Sequence, residues 1–493
     1  MTKVKIIGII AGIILIIGLA FVMYELSNIA ILPQDPEDTR SLEIKYIREN
    51  VVIFKSNLKD VENIHVVNKY GDYSVSQTEQ GAVQILGREG APLFPYSSAG
   101  LFESVEKITC DALIEEGSKN LEYYGLDKPQ ATVLINLKNG TQASFSVGDA
   151  APAGGGYYFR DVVSNDIYLV NSFFAERYLS DYIALYQTTI SKQFDITGFQ
   201  SLRIKPATGE EIFIRTTTEA ESKDIRFVSG MIMEAPFFFG AESSVVSKIM
   251  ETLSTLEASK IVTDTLDVEL QKQYGFDNPT LVEVKALVDT ATQVLNEQMN
   301  PYYDPDAKGV PLEITSTYLI GGFKDRDLYI MYDGAPVIYS VDIDTFAFAS
   351  KPIDQYCQRI VNIKYLNELD EVTVETGGVT NKFTIENPDA GDEMVIIHDY
   401  VQLDASIFRS FYKSIIGVTH YGLADKPLNT EPMLKITYGA IDGNDIVLEF
   451  IPIDDRNVFI QVNGEGRFYA LRTRVDKIIN DMQKLLNGEE IMS

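Results

Sequence analysis

The sequence predicts an α+β protein in which an N-terminal transmembrane helix precedes three tandem repeats, each of antiparallel strands packed with helices. Three observations carry this. Residues 6–24, "IIGIIAGIILIIGLAFVMY", contain no charge. A Tyr-Gly phrase occurs three times, as "YYGLDKP", "QYGFDNP" and "HYGLADKP". Around each phrase the apolar period changes from that of a helix to that of a strand.

The uncharged run is nineteen residues long. At about 1.5 Å per residue it spans a hydrocarbon core of roughly 30 Å. Lys3 and Lys5 precede it, and Glu25, Asp35, Glu37 and Asp38 follow. Positive flanks stay cytoplasmic, so residues 1–5 are placed inside and the chain beyond a 25–44 linker outside. A cleaved signal peptide would usually have a shorter apolar stretch and a small-residue cleavage site. The expectation is therefore an uncleaved signal anchor in the cell membrane.

The Tyr-Gly pairs begin at Tyr124, Tyr274 and Tyr421, 150 and 147 residues apart. Such a period suits tandem domains rather than a solenoid. The expected units are 45–185, 186–358 and 359–493, the second carrying an insertion near 289–313. Each opens with a hairpin pattern: "NIHVVNKYGDYSVSQ", "SLRIKPATGEEIFIR" and "EVTVETGGVTNKFTI".

A helical stripe is expected next, through Leu101, Val105 and Ile108, then Ile249, Leu253 and Leu256, then Phe408, Phe411, Tyr412 and Ile415. After each phrase the spacing is two, at Val133, Ile135 and Leu137, at Val282, Val284 and Ala286, and at Leu434, Ile436 and Tyr438. Further strands are read at 167–170, 337–341 and 458–462. Closing helices are read at 172–186, 342–360 and 472–486.

Each phrase is read as a turn. Gly125, Gly275 and Gly422 supply the left-handed residue that ends a helix. Asp127, Asp277 and Asp425 favour the turn, while Pro129, Pro279 and Pro427 block helix continuation. Tyr124, Tyr274 and Tyr421 are expected to be buried at the same point of each sheet. The rival reading makes the aspartates ligands converging in a shared cleft.

Composition narrows the function. The 71 acidic residues outnumber the 42 basic ones, giving a net charge of −29. Such a surface repels phosphates, so a nucleic-acid partner is not expected. Cys110 and Cys357 fall in different units and are read as unpaired, buried thiols.

Motifs for chemistry are sparse. His65, His398 and His420 stand in separate contexts, and His420 is read as capping a helix C-terminus. The S-x-x-K matches at Ser56/Lys59 and Ser410/Lys413 lack companion motifs. Asp304, Asp306 and Gly309 occupy EF-hand positions, but Lys308 and Thr315 stand where ligands belong. The stretch "GDAAPAGGGYYFR", whose only cation is Arg160, lies between strands and reads as a hairpin loop. No catalytic residue, cofactor or metal is assigned.

The succession of hairpin, helix, "YGLDKP", "VLINLKNG" and "FSVGDAAPAGGGYYFR" resembles the bacterial extracytoplasmic family DUF4340. The first unit carries it through Tyr124-Gly125-Leu126-Asp127, Pro129, Val147-Gly148 and Tyr157-Tyr158. The second keeps Tyr274-Gly275-Phe276-Asp277, Pro279 and Ile320-Gly321. The third keeps Tyr421-Gly422-Leu423 and Pro427, inserts Ala424 and lacks the Val-Gly step. Members are often encoded beside ABC-type transporters of the gliding-motility kind. The resemblance therefore implies a non-enzymatic accessory subunit beside an ABC permease or auxiliary membrane subunit. It passes on no catalytic residues. The alternative is a surface module binding envelope polysaccharide or peptide.

Overall fold

The computed structural model describes residues 51–492, apart from 153–154, 195, 220, 222–229, 289–311, 362–363, 390–392 and 429–430. The expected anchor, its linker and the acidic insertion with Asp304 and Asp306 lie outside the described residues, apart from Leu312 and Glu313. Among the described residues no helix is long and apolar enough to cross a membrane. The chain divides into two compact units, residues 51–86 with 97–182, and residues 87–96 with 183–492.

In the first unit, β1 (Val51–Lys55) pairs with β5 (Lys107–Cys110). The main sheet uses β2 (Val61–Asn68), β3 (Gly71–Gln77), β4 (Val83–Ile85), β6 (Ala112–Glu115), β7 (Ala131–Leu137), β8 (Gln142–Ala150), β9 (Tyr157–Asp161) and β10 (Ile167–Val170). Its antiparallel order is β4-β3-β2-β7-β8-β9-β10-β6. Alternation decides which face packs: Ile64, Val66, Val133 and Ile135 are fully buried. Each such side chain contributes roughly 1.5–3 kcal/mol over leaving it in water. Helix α1 (Pro95–Glu103) precedes β5, and α2 (Ser172–Leu179) follows β10 and packs on β2, β7 and β8. Asn171 caps α2 by accepting from the Phe174 N–H at 2.9 Å.

The second unit holds two nine-stranded sheets. One is built from β11 (Phe199–Lys205), β12 (Ile212–Thr216), β13 (Met231–Ala235), β14 (Phe239–Gly240), β15 (Lys260–Thr263), β16 (Thr280–Val288), β17 (Leu312–Lys324), β18 (Asp327–Tyr332) and β19 (Ile338–Asp342). Helices α3 (Ser243–Leu253) and α4 (Val268–Gln273) flank β15 in the chain. The other uses β20 (Leu369–Thr376), β21 (Val379–Glu386), β22 (Val395–His398), β23 (Val401–Leu403), β24 (Gly422–Leu423), β25 (Leu434–Ala440), β26 (Ile446–Pro452), β27 (Asn457–Val462) and β28 (Glu465–Leu471). Their orders are β14-β13-β12-β11-β16-β17-β18-β19-β15 and β23-β22-β21-β20-β25-β26-β27-β28-β24.

Helix α5 (Ala405–Ile416) buries Phe408, Phe411, Tyr412 and Ile415. The Asp404 carboxylate caps it by accepting from the Ser406 and Ile407 N–H groups. Helix α6 (Arg472–Asn487) packs against α5, burying Val475, Ile478, Met482 and Leu485, and ends at left-handed Gly488.

Four expected helices differ. The one read at 172–186 ends at Leu179 and is followed by the 3-10 segment Tyr182–Leu185. The stripe through Ile249 ends at Leu253, short of Leu256. The stripe through Leu101 stops at Glu103, so Val105 lies beyond the helix and Ile108 lies in β5. The Ser104 hydroxyl donates to the Leu101 carbonyl at 2.6 Å, diverting it from the helix ladder. The region 342–360 is not α-helical but forms 3-10 segments Ile343–Ser350 and Ile353–Tyr356. Pro352 between them lacks the N–H that continuation needs.

Cys110 and Cys357 are both free and buried. Burial pushes each thiol above its ordinary range. The native protein should therefore resist a thiol reagent at a pH of about 8, where an exposed cysteine is partly ionised. Both should react after unfolding in urea. Rapid labelling of either thiol in the folded protein would contradict the packing.

Candidate functional site

The first two Tyr-Gly phrases build the same device. Gly125 has φ 67° and closes the short 3-10 turn Glu122–Tyr124. Its N–H donates to the Glu122 carbonyl at 3.1 Å, and the Leu126 N–H donates to the Leu121 carbonyl at 2.8 Å. Gly275, at φ 81°, ends α4 with the equivalent pair, Gly275 to Lys272 at 3.1 Å and Phe276 to Gln271 at 2.8 Å. Both are left-handed closures of the kind glycine accepts without a Cβ penalty.

Tyr124 is buried, edge-on to Tyr123 and Tyr158 with ring centroids 4.9 Å apart in each case. Its hydroxyl donates to Glu115 at 2.9 Å. Leu126 and Ile167 complete its cluster. Tyr274 is half-buried and edge-on to Tyr329 at 4.8 Å. Asp127 and Asp277 are exposed, while Pro129 and Pro279 are half-buried just ahead of β7 and β16. Each aspartate is an exposed residue of its own turn.

Each phrase is matched by a glycine on a neighbouring strand. A Cβ at Gly148 would overlap the Tyr124 carbonyl oxygen, and one at Gly321 would overlap that of Tyr274. The Gly322 N–H donates to the same Tyr274 carbonyl at 2.7 Å. The Val147-Gly148 and Ile320-Gly321 steps are thus the second half of the Tyr-Gly contact. A glycine inside an alternating strand is the sequence signal for such close approach.

The third phrase is built differently. Gly422 lies in β24 opposite Tyr469, and its φ is not left-handed. The Tyr421 N–H donates to the Tyr469 carbonyl at 2.9 Å. Tyr421 is 41% exposed, so the expected buried tyrosine is absent here. Asp425 is exposed and Pro427 half-buried. By sheet position β24 matches β6 and β15, the terminal strands that precede the first two phrases. The extra residue Ala424 and the missing Val-Gly step accompany this change.

Paired backbone segments join the elements of the second unit twice over. Leu93 bridges Tyr186 and Thr189 bridges Glu257; Ala241 bridges Cys357 and Ile360 bridges Thr419. The Gln187 N–H donates to Pro92 at 2.9 Å, as Gln358 does to Gly240 at 2.8 Å. The Ala258 N–H donates to Thr188 at 2.8 Å, as His420 does to Arg359 at 3.0 Å. At the first seam, Asp264 is buried, accepting from Tyr186 Oη at 2.7 Å and paired with Arg88 Nε at 2.6 Å. Neither residue was singled out from sequence, because the partners are far apart in the chain.

Each histidine has its own partners. His65 Nδ1 lies 2.9 Å from Ser74 Oγ and 3.4 Å from Asp72. His398 Nδ1 donates to the Lys382 carbonyl at 3.0 Å. His420 does not cap a helix: it is buried at the second seam, with Nε2 donating to the Gln358 carbonyl at 3.1 Å. Arg160, read from sequence as part of a hairpin loop, lies within β9 and donates to Asn165 Oδ1. Among the described residues, no group of three or more His, Cys, Asp or Glu side chains is arranged to hold a metal ion.

The fold and these contacts define a β-rich protein whose glycine-matched turns are structural. The family described as a domain of unknown function, DUF4340, matches residues 85–279, which bears out the resemblance over that stretch. The match contains the first two phrases and ends on Pro279. No curated protein and no solved structure matches the chain.

Proposed function

We propose that this chain is a membrane-anchored, extracytoplasmic, non-enzymatic module of three tandem repeats, serving as an accessory subunit of an ABC-type transport or envelope assembly. The carrying observation is the uncharged run Ile6–Tyr24, preceded by Lys3 and Lys5, at the head of a large β-rich body. The repeat reading is supported by the shared strand order of the three sheets and by the matched bridges at the two seams. The non-enzymatic reading is supported by how the fold uses its buried polar groups: Tyr124 holds Glu115, and Asp264 holds Arg88 and Tyr186.

Crosslinking in native cells, followed by capture of the tagged chain from solubilised membranes, tests the role. An ABC permease or its auxiliary subunit is the expected catch. Recovery of no membrane partner counts against it. Protease added to intact protoplasts should remove everything beyond the anchor, and full protection would overturn the topology.

A further inference from the structure

The second seam contains an imidazole where the equivalent positions, Cys110 and Ala258, carry small side chains. Ala258 and His420 each donate a backbone N–H to the preceding linking segment, and Cys110 pairs with Val51 of β1 in the same relation to its sheet. Cys110, Ala258 and His420 are all buried. A small side chain therefore suffices for the backbone pairing, and the imidazole needs another explanation.

That imidazole lies flat on Phe468, with centroids 4.2 Å apart, and edge-on to Phe239 at 6.4 Å. Phe239 and Phe237 reach Phe468 from the first nine-stranded sheet at 4.6 and 5.8 Å. Nε2 donates to the Gln358 carbonyl, so the neutral ring carries its lone pair on Nδ1. Among the described residues Nδ1 has no hydrogen-bond partner. Phe468 belongs to β28 of the second nine-stranded sheet, whereas Phe239 reaches the ring from the first sheet and Gln358 from the segment that links them.

We infer that His420 is a proton-operated latch, holding the seam between the two nine-stranded sheets when neutral and loosening it when protonated. A proton on Nδ1 creates a buried donor with no acceptor and places a charge among aromatic rings. Charged groups approach the ring from each element packed around it. Asp354 and Arg359 come from the linking segment and act in opposite directions. From β28, Arg467 is stacked over Phe237. On the side of the first sheet, Glu234 of β13 is paired with Arg215, and the Glu242 carboxylate, just beyond β14, accepts from Ser244. Burial, the largest influence, depresses the His420 pKa below its ordinary value.

The sign follows. The unfolded histidine titrates near pH 6.5, so below that the unfolded chain binds more protons than the folded seam. Stability of the seam is fully present above about pH 6.5 and is lost as the pH falls through the depressed folded value.

Amide hydrogen exchange on the full-length protein in detergent tests this. After correction for intrinsic chemistry, exchange at the His420 and Gln358 amides should rise about tenfold between roughly pH 7.5 and 5.5. His420→Leu should remove that rise, while His65→Gln and His398→Gln should keep it. An unchanged wild-type seam, or the same rise in His420→Leu, overturns the latch. Should His420→Leu not fold, imidazole NMR of the wild type decides: a His420 titration at or above the ordinary value overturns it, and a depressed one supports it.

Discussion

Gly148→Ala and Gly321→Ala are each expected to lower the unfolding free energy by ~1–3 kcal/mol or more, the range for forcing atoms into a filled site. The added methyl at Gly148 meets the Tyr124 carbonyl oxygen and, at 2.8 Å, Leu126 Cγ; at Gly321 it meets the Tyr274 carbonyl and, at 2.9 Å, Phe276 Cζ. A carbonyl held at a left-handed closure cannot swing aside as a flexible side chain could. The strand must move, or the turn must reopen. Gly100→Ala is the control: its Cβ would meet nothing within 4 Å, and it lies inside α1. That change should be neutral or stabilise by up to about 1 kcal/mol, because alanine favours a helix. Urea unfolding curves of the three variants decide it. Equal midpoints would mean the close approach does not exist.

Arg88→Met is expected to destabilise the first seam by ~3–5 kcal/mol, since it leaves a buried carboxylate without its countercharge. Asp264 is 7% exposed and Arg88 only 21%, so water cannot easily replace the lost partner. The Tyr186 hydroxyl would remain as a neutral donor. Arg88→Met/Asp264→Leu should recover much of the loss, because removing both charges also removes their desolvation cost. Hydrogen exchange should localise the effect to the Phe94 and Gln187 amides, which bond Leu185 and Pro92 across the seam. A loss below about 1 kcal/mol would place the pair with solvent-screened surface bridges instead.

Much of the fold was legible along the chain. The 3.6-residue stripe of α5, through Phe408, Phe411, Tyr412 and Ile415, is also its buried face. The two-residue alternations at Val133, Val282 and Leu434 are the inward faces of β7, β16 and β25. These signals are local, because a helix or strand with one wet face writes its period into neighbouring residues. The first two Tyr-Gly phrases were legible for the same reason: their closure joins residues within five positions.

The third phrase exposes the limit. "HYGLADKP" resembles the others, yet its backbone is taken up by β28 instead of closing a turn. That choice depends on Tyr469, forty-eight residues downstream. The apolar run at 342–360 likewise fits a helical period, but Pro352 and the bridges of Cys357 and Ile360 hold it open. His420 is a lone polar residue in sequence and a buried seam residue in space. By itself the sequence determined the periodic elements, the family resemblance over residues 85–279 and the self-contained turns. Tertiary structure alone decided which edges pair and which polar groups are buried together, because those energies depend on contacts between residues far apart in the chain.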